Sequence, residues 1–220
     1  MQAFDSLSRD IQQYIYDKGW PSLTNIQSAA IKQVANTDHN LILSAPTASG
    51  KTEAAFIPAL NSVEDWETGL KVLYVSPLKA LINDQFQRIS ELSEYLDIPI
   101  TRWHGEVSQA QKKKVVNQPK GVLLITPESI EGMLVNRPGE AQHLFKGVEW
   151  IIIDELHSFL GTERGIHLQS LLQRISRFMQ APRFIAMSAT LNKKDFGYAK
   201  AFFGSPRHTD ILVDLDKTVF

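Results

Sequence analysis

The chain contains no cysteine. Disulfides, thiolate zinc ribbons and iron–sulfur clusters are therefore excluded, and the composition is compatible with a reducing compartment. No apolar run approaches the roughly 18 residues that a membrane-spanning helix needs. The N-terminal stretch MQAFDSLSRDIQQYIYDKGW carries early acidic residues and no apolar centre of the signal-peptide kind. The resulting expectation is a cytoplasmic protein that makes no use of a membrane. An excess of charge of one sign is missing too: 23 basic residues face 24 acidic ones, for a formal net charge of −1. A protein-wide basic footprint for nucleic acid is thus excluded, and any such contact has to be local. Internal repeats, linkers and low-complexity tracts are also absent; the short basic run Lys112–Lys114 reads as a solvated helix face. What is present is 220 residues with 43% hydrophobic content, enough for one large domain with a sizeable core.

Short apolar runs recur along the chain at Leu41–Ser44, Val72–Ser76, Ile98–Trp103, Val122–Thr126, Trp150–Ile153 and Phe184–Met187. They are continuous, not alternating, and rich in Val and Ile, which is how strands buried on both faces read. The segments between them are mostly long enough for crossover helices, and Leu78–Leu96 and Gly165–Met179 carry apolar residues at helical spacing. Alternating strand and helix predicts an α/β fold with a mostly parallel central sheet and helices on both faces. Ligands of such sheets bind at the carboxyl ends of the strands. Each run here leads at that end into a polar cluster, so the clusters should share one edge.

The most specific cluster is APTASGKT, residues 45–52, between the first apolar run and a helix-compatible segment. Strand, glycine-containing loop and helix form the context of a phosphate-binding P-loop. Backbone amides of Ala45, Pro46, Thr47, Ala48, Ser49 and Gly50 (all but the proline) are candidates to cradle phosphate, aided by the helix dipole. Lys51 can reach the β- and γ-phosphates, and the Thr52 hydroxyl can ligate Mg²⁺. Ala45 stands where the strict pattern has glycine. Asp154 and Glu155 follow Trp-Ile-Ile-Ile; paired carboxylates ending a buried strand need partners or solvent. Beside a P-loop, Asp154 can hold Mg²⁺ and Glu155 can act as general base on water. His157 is either a metal ligand without neighbours or a polar connector to Ser188 and Thr190. Those two hydroxyls have a plainer reading as caps of a helix starting near Lys193. Gln27 can read an adenine edge, with Trp20 or Phe4 stacking on the base; a solvated glutamine on an amphipathic helix is the plainer alternative. Lys79, Arg102, His104, Lys112, Thr126 and Ser129 are local candidates for backbone contacts to nucleic acid.

Taken together, these clusters resemble the first RecA-like domain of superfamily 2 helicases. APTASGKT is similar to motif I, SPLKAL (76–81) to motif Ia, TPES (126–129) to motif Ib, DELH (154–157) to a DExH-type motif II and SAT (188–190) to motif III. LTNIQ (23–27) resembles the Q-motif region, which places a helical segment at 1–40 before a RecA-like domain at 41–220. SPLKALINDQ, RWHGEVS and IIIDELHSFLGTERGIHLQSLLQRI resemble large helicase-related (Lhr-like) proteins, which are mainly translocases on DNA or DNA–RNA hybrids. The resemblance implies ATP and Mg²⁺ at Lys51, Thr52, Asp154 and Glu155, and adenine at Gln27. It implies a single-stranded or partly duplex nucleic acid, DNA favoured over RNA, along Pro77, Lys79, Thr126, Pro127 and Glu128. It also implies coupling of hydrolysis to movement through His157, Ser188 and Thr190.

One departure bears on activity. Nothing in the chain resembles motifs IV, V or VI, so the second RecA-like domain and its arginine finger are expected in cis outside these 220 residues. Weak nucleotide binding and little or no helicase activity are therefore expected of the chain alone. Two other readings share the same residues: a non-catalytic nucleic-acid-binding scaffold, and a motor subunit of a restriction or defence complex.

Overall fold

The computed structural model describes residues 2–46 and 49–214. Seven strands form one parallel sheet: β1 (Asn40–Ser44), β2 (Gly69–Val75), β3 (Ile100–Trp103), β4 (Lys120–Ile125), β5 (Trp150–Ile153), β6 (Arg183–Ser188) and β7 (Thr209–Val213). Their spatial order is β3-β4-β2-β5-β6-β1-β7, and every adjacent pair is parallel. The helices between them are α1 (Arg9–Asp17), α2 (Asn25–Asn36), α3 (Lys51–Ser62), α4 (Lys79–Tyr95), α5 (Gln109–Asn117), α6 (Pro127–Asn136), α7 (Pro138–Phe145), α8 (Glu163–Ser176) and α9 (Phe196–Ala201).

Strand residues divide between two cores by parity. Leu41, Leu43, Val72, Tyr74, Trp150, Ile152, Ile185 and Met187 pack with the N-terminal helices on one face. Ile42, Leu73, Val75, Ile151, Ile153, Phe184 and Ala186 pack with α6, α7 and α8 on the other. Side chains of a strand alternate between faces, so both parities must be apolar when helices cover both sides. That is why these strands read as unbroken runs. Residues of the N-terminal segment, including Leu7, Ile11, Tyr14 and Ile31, join the same cluster as Phe56, Ile57 and Leu60 of α3.

The strand expectations hold with shifted ends. β2 begins at Gly69, earlier than expected, with a register irregularity between Leu70 and Val72. β3 is shorter, starting at Ile100. β7 is a seventh strand that the apolar runs did not mark. It lies at the sheet edge, pairing as a strand with β1 alone among the described residues, and its Asp210, Ile211 and Leu212 are half-exposed. An edge strand covered on fewer sides tolerates a mixed sequence.

Candidate nucleotide site and nucleic-acid edge

The parallel sheet carries the carboxyl ends of β1, β2, β4, β5 and β6 to one edge, and the predicted clusters collect there. Thr47 and Ala48 lie outside the described residues; the rest of the loop is defined. Ala45 N–H donates to the Ser188 carbonyl at 3.2 Å, so motif I is tied to the end of the neighbouring strand β6. Gly50 caps α3 in the left-handed region, φ 83°. That conformation suits glycine, and a Cβ there would also lie 2.5 Å from Gln27 Nε2. Lys51 folds back to donate to the Ala45 carbonyl. Burial lowers the pKa of its ammonium; the carboxylates of Glu155 and Asp154 oppose that effect without cancelling it. A desolvated ammonium regains stabilisation when an anion is bound to it. The Thr52 hydroxyl donates to Gln85 Oε1 at 3.1 Å, which leaves its oxygen lone pairs available. Ser49 Oγ is buried with no hydrogen-bond partner among the described residues. A buried unpaired hydroxyl costs free energy unless something binds it. These residues fit a phosphate chain.

Gln27 is buried, not a solvated helix residue. It forms a capping box with Thr24: its Oε1 accepts from Thr24 N–H at 2.9 Å, and its own N–H donates to Thr24 Oγ1 at 3.4 Å. Its Nε2 also donates to the Gly50 carbonyl at 3.4 Å. The capping box that starts α2 therefore holds the side chain against the P-loop. Phe4 and Trp20 line a single depression together with Tyr16 and Lys32.

Asp154 sits at the end of β5, buried, with Oδ1 accepting from Glu155 N–H at 2.9 Å and Oδ2 from the Tyr74 hydroxyl. Burial lifts its pKa above the usual carboxylate range; the Tyr74 hydrogen bond opposes this and the Glu155 charge adds to it. Burial, followed by the Asp154 charge, holds the Tyr74 phenol well above its ordinary value, so it stays a donor. Tyr74 was not read from the sequence as a site residue. Its one signal was a hydroxyl-bearing ring inside an otherwise aliphatic strand.

Glu155 adopts φ 48°, ψ 47°, a left-handed conformation that costs a non-glycine residue of the order of 1 kcal/mol or more. Its carboxylate Oε2 lies 3.2 Å from His157 Nδ1, and the same nitrogen lies 3.3 Å from Ser188 Oγ. Ser188 Oγ also donates to the Thr190 carbonyl at 2.7 Å. His157 thus has the geometry of a connector between motifs II and III. The capping alternative for Ser188 and Thr190 is not what forms. The short turn Lys193–Asp195 starts at Asn192 without a side-chain cap, and the Ser188 hydroxyl is turned to His157 instead.

Farther along the edge, Pro77, Leu78, Lys79, Gly105, Thr126 and Glu128 line one open groove. Lys79 is exposed at the start of α4 and pairs with Glu106 at 3.4 Å. Thr126 caps α6 by accepting from Ser129 N–H at 3.3 Å, and the buried Pro127 occupies the first turn of that helix. Arg164 of α8, which sequence reasoning missed, ties the groove together. It donates to Glu128 Oε1 through Nε at 3.0 Å and through Nη2 at 2.6 Å, and to the Pro77 carbonyl. Burial works against ionisation of Glu128, but its own backbone N–H and Arg164 outweigh it and hold the carboxyl below its ordinary value.

Two expected nucleic-acid residues are placed differently. Arg102 lies over the Phe86 ring at 4.5 Å and donates to Asn83 Oδ1 at 2.8 Å, lining a separate depression with Pro99 and Val115. His104 is buried with neither ring nitrogen hydrogen-bonded, and burial lowers its pKa. Neither lines the Pro77–Glu128 groove. Arg102 is half-exposed on the edge strand β3 and turns to α4, whereas His104, just past that strand, is buried. Lys112 sits 5.8 Å over the Trp103 ring.

Comparison with known proteins bears on the same residues. Residues 24–196 match the DEAD/DEAH box helicase family. The chain is 30% identical over 209 residues to the ATP-dependent helicase Lhr-Core of Methanocaldococcus jannaschii, covering 87% of this chain and 24% of that protein. It is 32% identical over 214 residues to the Lhr helicase/uracil glycosylase of Escherichia coli, covering 86% of this chain and 13% of that protein. Among solved structures, Mycobacterium smegmatis helicase Lhr bound to ssDNA and AMP-PNP superposes with a TM-score of 0.84 at 27% identity, over 97% of this chain and 28% of that one. The DEAD-box helicase Mss116 bound to ssRNA superposes with a TM-score of 0.82 at 19% identity, over 97% of this chain and 44% of that one, a likeness of fold alone. The chain spans about a quarter or less of the length of the two curated relatives named. The parallel α/β sheet, the P-loop edge and the match over most of its length agree: this chain belongs to the DEAD/DEAH box helicase family, with the RecA-like fold of the family's first motor domain.

Proposed function

We propose that the chain is the ATP-holding half of a nucleic-acid helicase or translocase of Lhr-like type, whose second RecA-like domain lies in cis and closes the site. The observation that carries this reading is the polar chain from Glu155 through His157 to Ser188, set beside the P-loop and spanning the ends of β5 and β6. A site that only stored a nucleotide would have no use for such a relay.

In this reading the amides of the P-loop and Lys51 hold the phosphates of ATP, and Thr52 and Asp154 hold Mg²⁺. The metal, when bound, neutralises charge on the β- and γ-phosphates. Tyr74 and the Glu155 amide favour the carboxylate form of Asp154 against its burial and fix its direction. Glu155 takes the proton of the attacking water at its carboxylate. Gln27 keeps an amide hydrogen and a lone pair for adenine beyond those used on Thr24 and Gly50. His157 and Ser188 pass the change at Glu155 to the Thr190 turn. A nucleic-acid strand lies along Pro77, Lys79, Thr126, Pro127 and Glu128, held through its backbone and not read by base. Single-stranded DNA is favoured because the Lhr structure that carries it is closer in sequence than the RNA-bound neighbour. Arginine fingers contribute about 10³–10⁵ in rate in comparable phosphoryl transfers, so the 220 residues alone turn over slowly.

The test pairs two measurements. Fluorescent ADP should bind the chain in a Mg²⁺-dependent manner; absence of such binding would favour a scaffold instead. In the two-domain parent, Glu155→Gln should abolish turnover and preserve ATP binding, whereas unchanged turnover removes Glu155 from the base role. Robust strand separation by the isolated chain would refute the half-motor reading.

A further inference from the structure

At the opposite end of the sheet from the P-loop, two imidazoles and a carboxylate converge. His39 directly precedes β1, His208 directly precedes β7, and Asp210 is the second residue of β7. The register explains the meeting. Asn40 N–H donates to the His208 carbonyl at 2.8 Å, and Leu41 pairs with Asp210 across the parallel ladder. Residues 39 and 41, and 208 and 210, then share one face by strand alternation. His39 Nδ1 lies 2.6 Å from Asp210 Oδ2, and His208 Nε2 lies 3.3 Å from Asp210 Oδ1. The two rings meet edge to face with centroids 4.8 Å apart. All three donor atoms fall within 4.8 Å of one another, the one such grouping of His, Asp and Glu among the described residues.

We infer that His39, His208 and Asp210 form a three-ligand site for a divalent transition metal, with Zn²⁺ the best match in chemistry. Imidazole nitrogen and carboxylate oxygen are donors that borderline cations prefer, whereas Mg²⁺ and Ca²⁺ select all-oxygen sets. Metal–donor bonds of about 2.0–2.1 Å in a tetrahedron put donors about 3.3–3.4 Å apart. The two contacts to Asp210, made to different oxygens, lie at or below that edge, and one atom from each residue falls within 4.8 Å of the others, so side-chain rotation has to widen one spacing and narrow another. The fourth position faces solvent, because the His208 side chain is 60% exposed. An outer partner is also in place: Gln33 Nε2 of α2 donates to Asp210 Oδ2 at 2.6 Å and fixes the carboxylate. Metal ligands are commonly oriented by such second hydrogen bonds.

The site would act as a clamp. Among the described residues β7 pairs as a strand with β1 alone, and β1 is the strand that runs into the P-loop, a strand length of roughly 16 Å away. A metal held by both strands and braced by α2 fastens the edge strand to the element that positions motif I. The mechanism is independent of ATP chemistry, and the site contains no residue assigned to it.

The test titrates the tag-free, metal-stripped chain with Co²⁺ as a spectroscopic substitute and then with Zn²⁺, following visible absorbance, calorimetric stoichiometry and the thermal midpoint. One equivalent should give the intense absorbance of four-coordinate cobalt, be displaced by Zn²⁺, and raise the midpoint. His39→Ala, His208→Ala and Asp210→Asn should each weaken binding by about 100-fold or more, and Gln33→Ala by about tenfold. Glu155→Gln and His157→Ala should keep the site intact, which separates it from adventitious uptake beside the P-loop. His208→Ala changes an exposed side chain, so circular dichroism of that variant should match the parent chain. Absence of uptake by the folded chain, or equal uptake by a His39→Ala/His208→Ala double variant, would overturn the inference.

Discussion

Replacing Tyr74 by phenylalanine removes one hydroxyl from the core and keeps the ring against Phe56, whose centroid is 5.5 Å away. That hydroxyl donates to Asp154 Oδ2, and the carboxylate is buried. A hydrogen bond to a charged group is worth about 1.5–3 kcal/mol. Asp154 already titrates above its ordinary value because of burial, and the variant raises it further by deleting the bond that opposes burial. A group with a raised folded pKa favours folding below its unfolded value and loses that contribution as pH rises through the folded value. The Tyr74→Phe protein should therefore lose most stability at neutral and alkaline pH, where Asp154 is ionised, and least in acid. At about 2–4 °C per kcal/mol for a chain of this size, the midpoint falls by roughly 3–12 °C near pH 8. Metal-dependent nucleotide binding should show the opposite profile. Below the raised pKa, binding Mg²⁺ requires expulsion of a proton. The affinity deficit then reaches about 10- to 150-fold below the folded pKa of Asp154 and shrinks as pH rises through it. Fluorescent-nucleotide titrations with and without Mg²⁺ across the pH range, beside thermal melts, measure both limbs. A deficit that does not change with pH, or binding curves that superimpose on the parent chain at every pH, would refute the idea that Tyr74 governs the charge on Asp154.

Other outcomes follow from the same geometry. Arg164→Ala should cost under about 1 kcal/mol in chemical denaturation, because its pairing with Glu128 is largely solvated. It frees the Pro77 and Glu128 segments from one another, so affinity for single-stranded DNA measured by anisotropy should fall about tenfold; unchanged affinity would mean that the groove needs no such brace. Glu131 accepts from Arg174 and His167, and these bonds hold its pKa down to about 2 from an ordinary 4.5. Its contribution is present above the ordinary value and is lost as pH falls through the depressed one. Glu131→Gln should thus lower the midpoint at neutral pH and converge on the parent chain near pH 2, as followed by acid-dependent melts.

The sheet was legible because a strand covered on both faces must be apolar at both parities, and Trp150–Ile153 or Leu41–Leu43 satisfy that without reference to anything distant. β7 escaped because an edge strand is freed from that demand. The candidate phosphate loop was legible for a related reason: phosphate binding by backbone amides requires residues contiguous in sequence, and APTASGKT has that form. The burial of Gln27 is not legible in the sequence, where a solvated glutamine reads equally well, since its contact to the Gly50 carbonyl joins segments 23 residues apart. Charge and strand-end position mark Arg102 and His104 in the sequence; the contact of Arg102 with Asn83 and the burial of His104 depend on how α4 and the segment after β3 pack, which neither property encodes.

By itself, then, the sequence determined the α/β alternation, the strand–glycine loop–helix order around APTASGKT and the acidic pair that ends β5, all of them features local in the chain. Only the tertiary structure decided which strands lie side by side. With β5 between β2 and β6, Tyr74 reaches Asp154 and His157 reaches Ser188. With β7 beside β1, His39 meets Asp210 from 171 residues away. Hydrogen bonds of this kind depend on strand register and order, and those are set by the packing of whole layers, not by the residues that end up in contact.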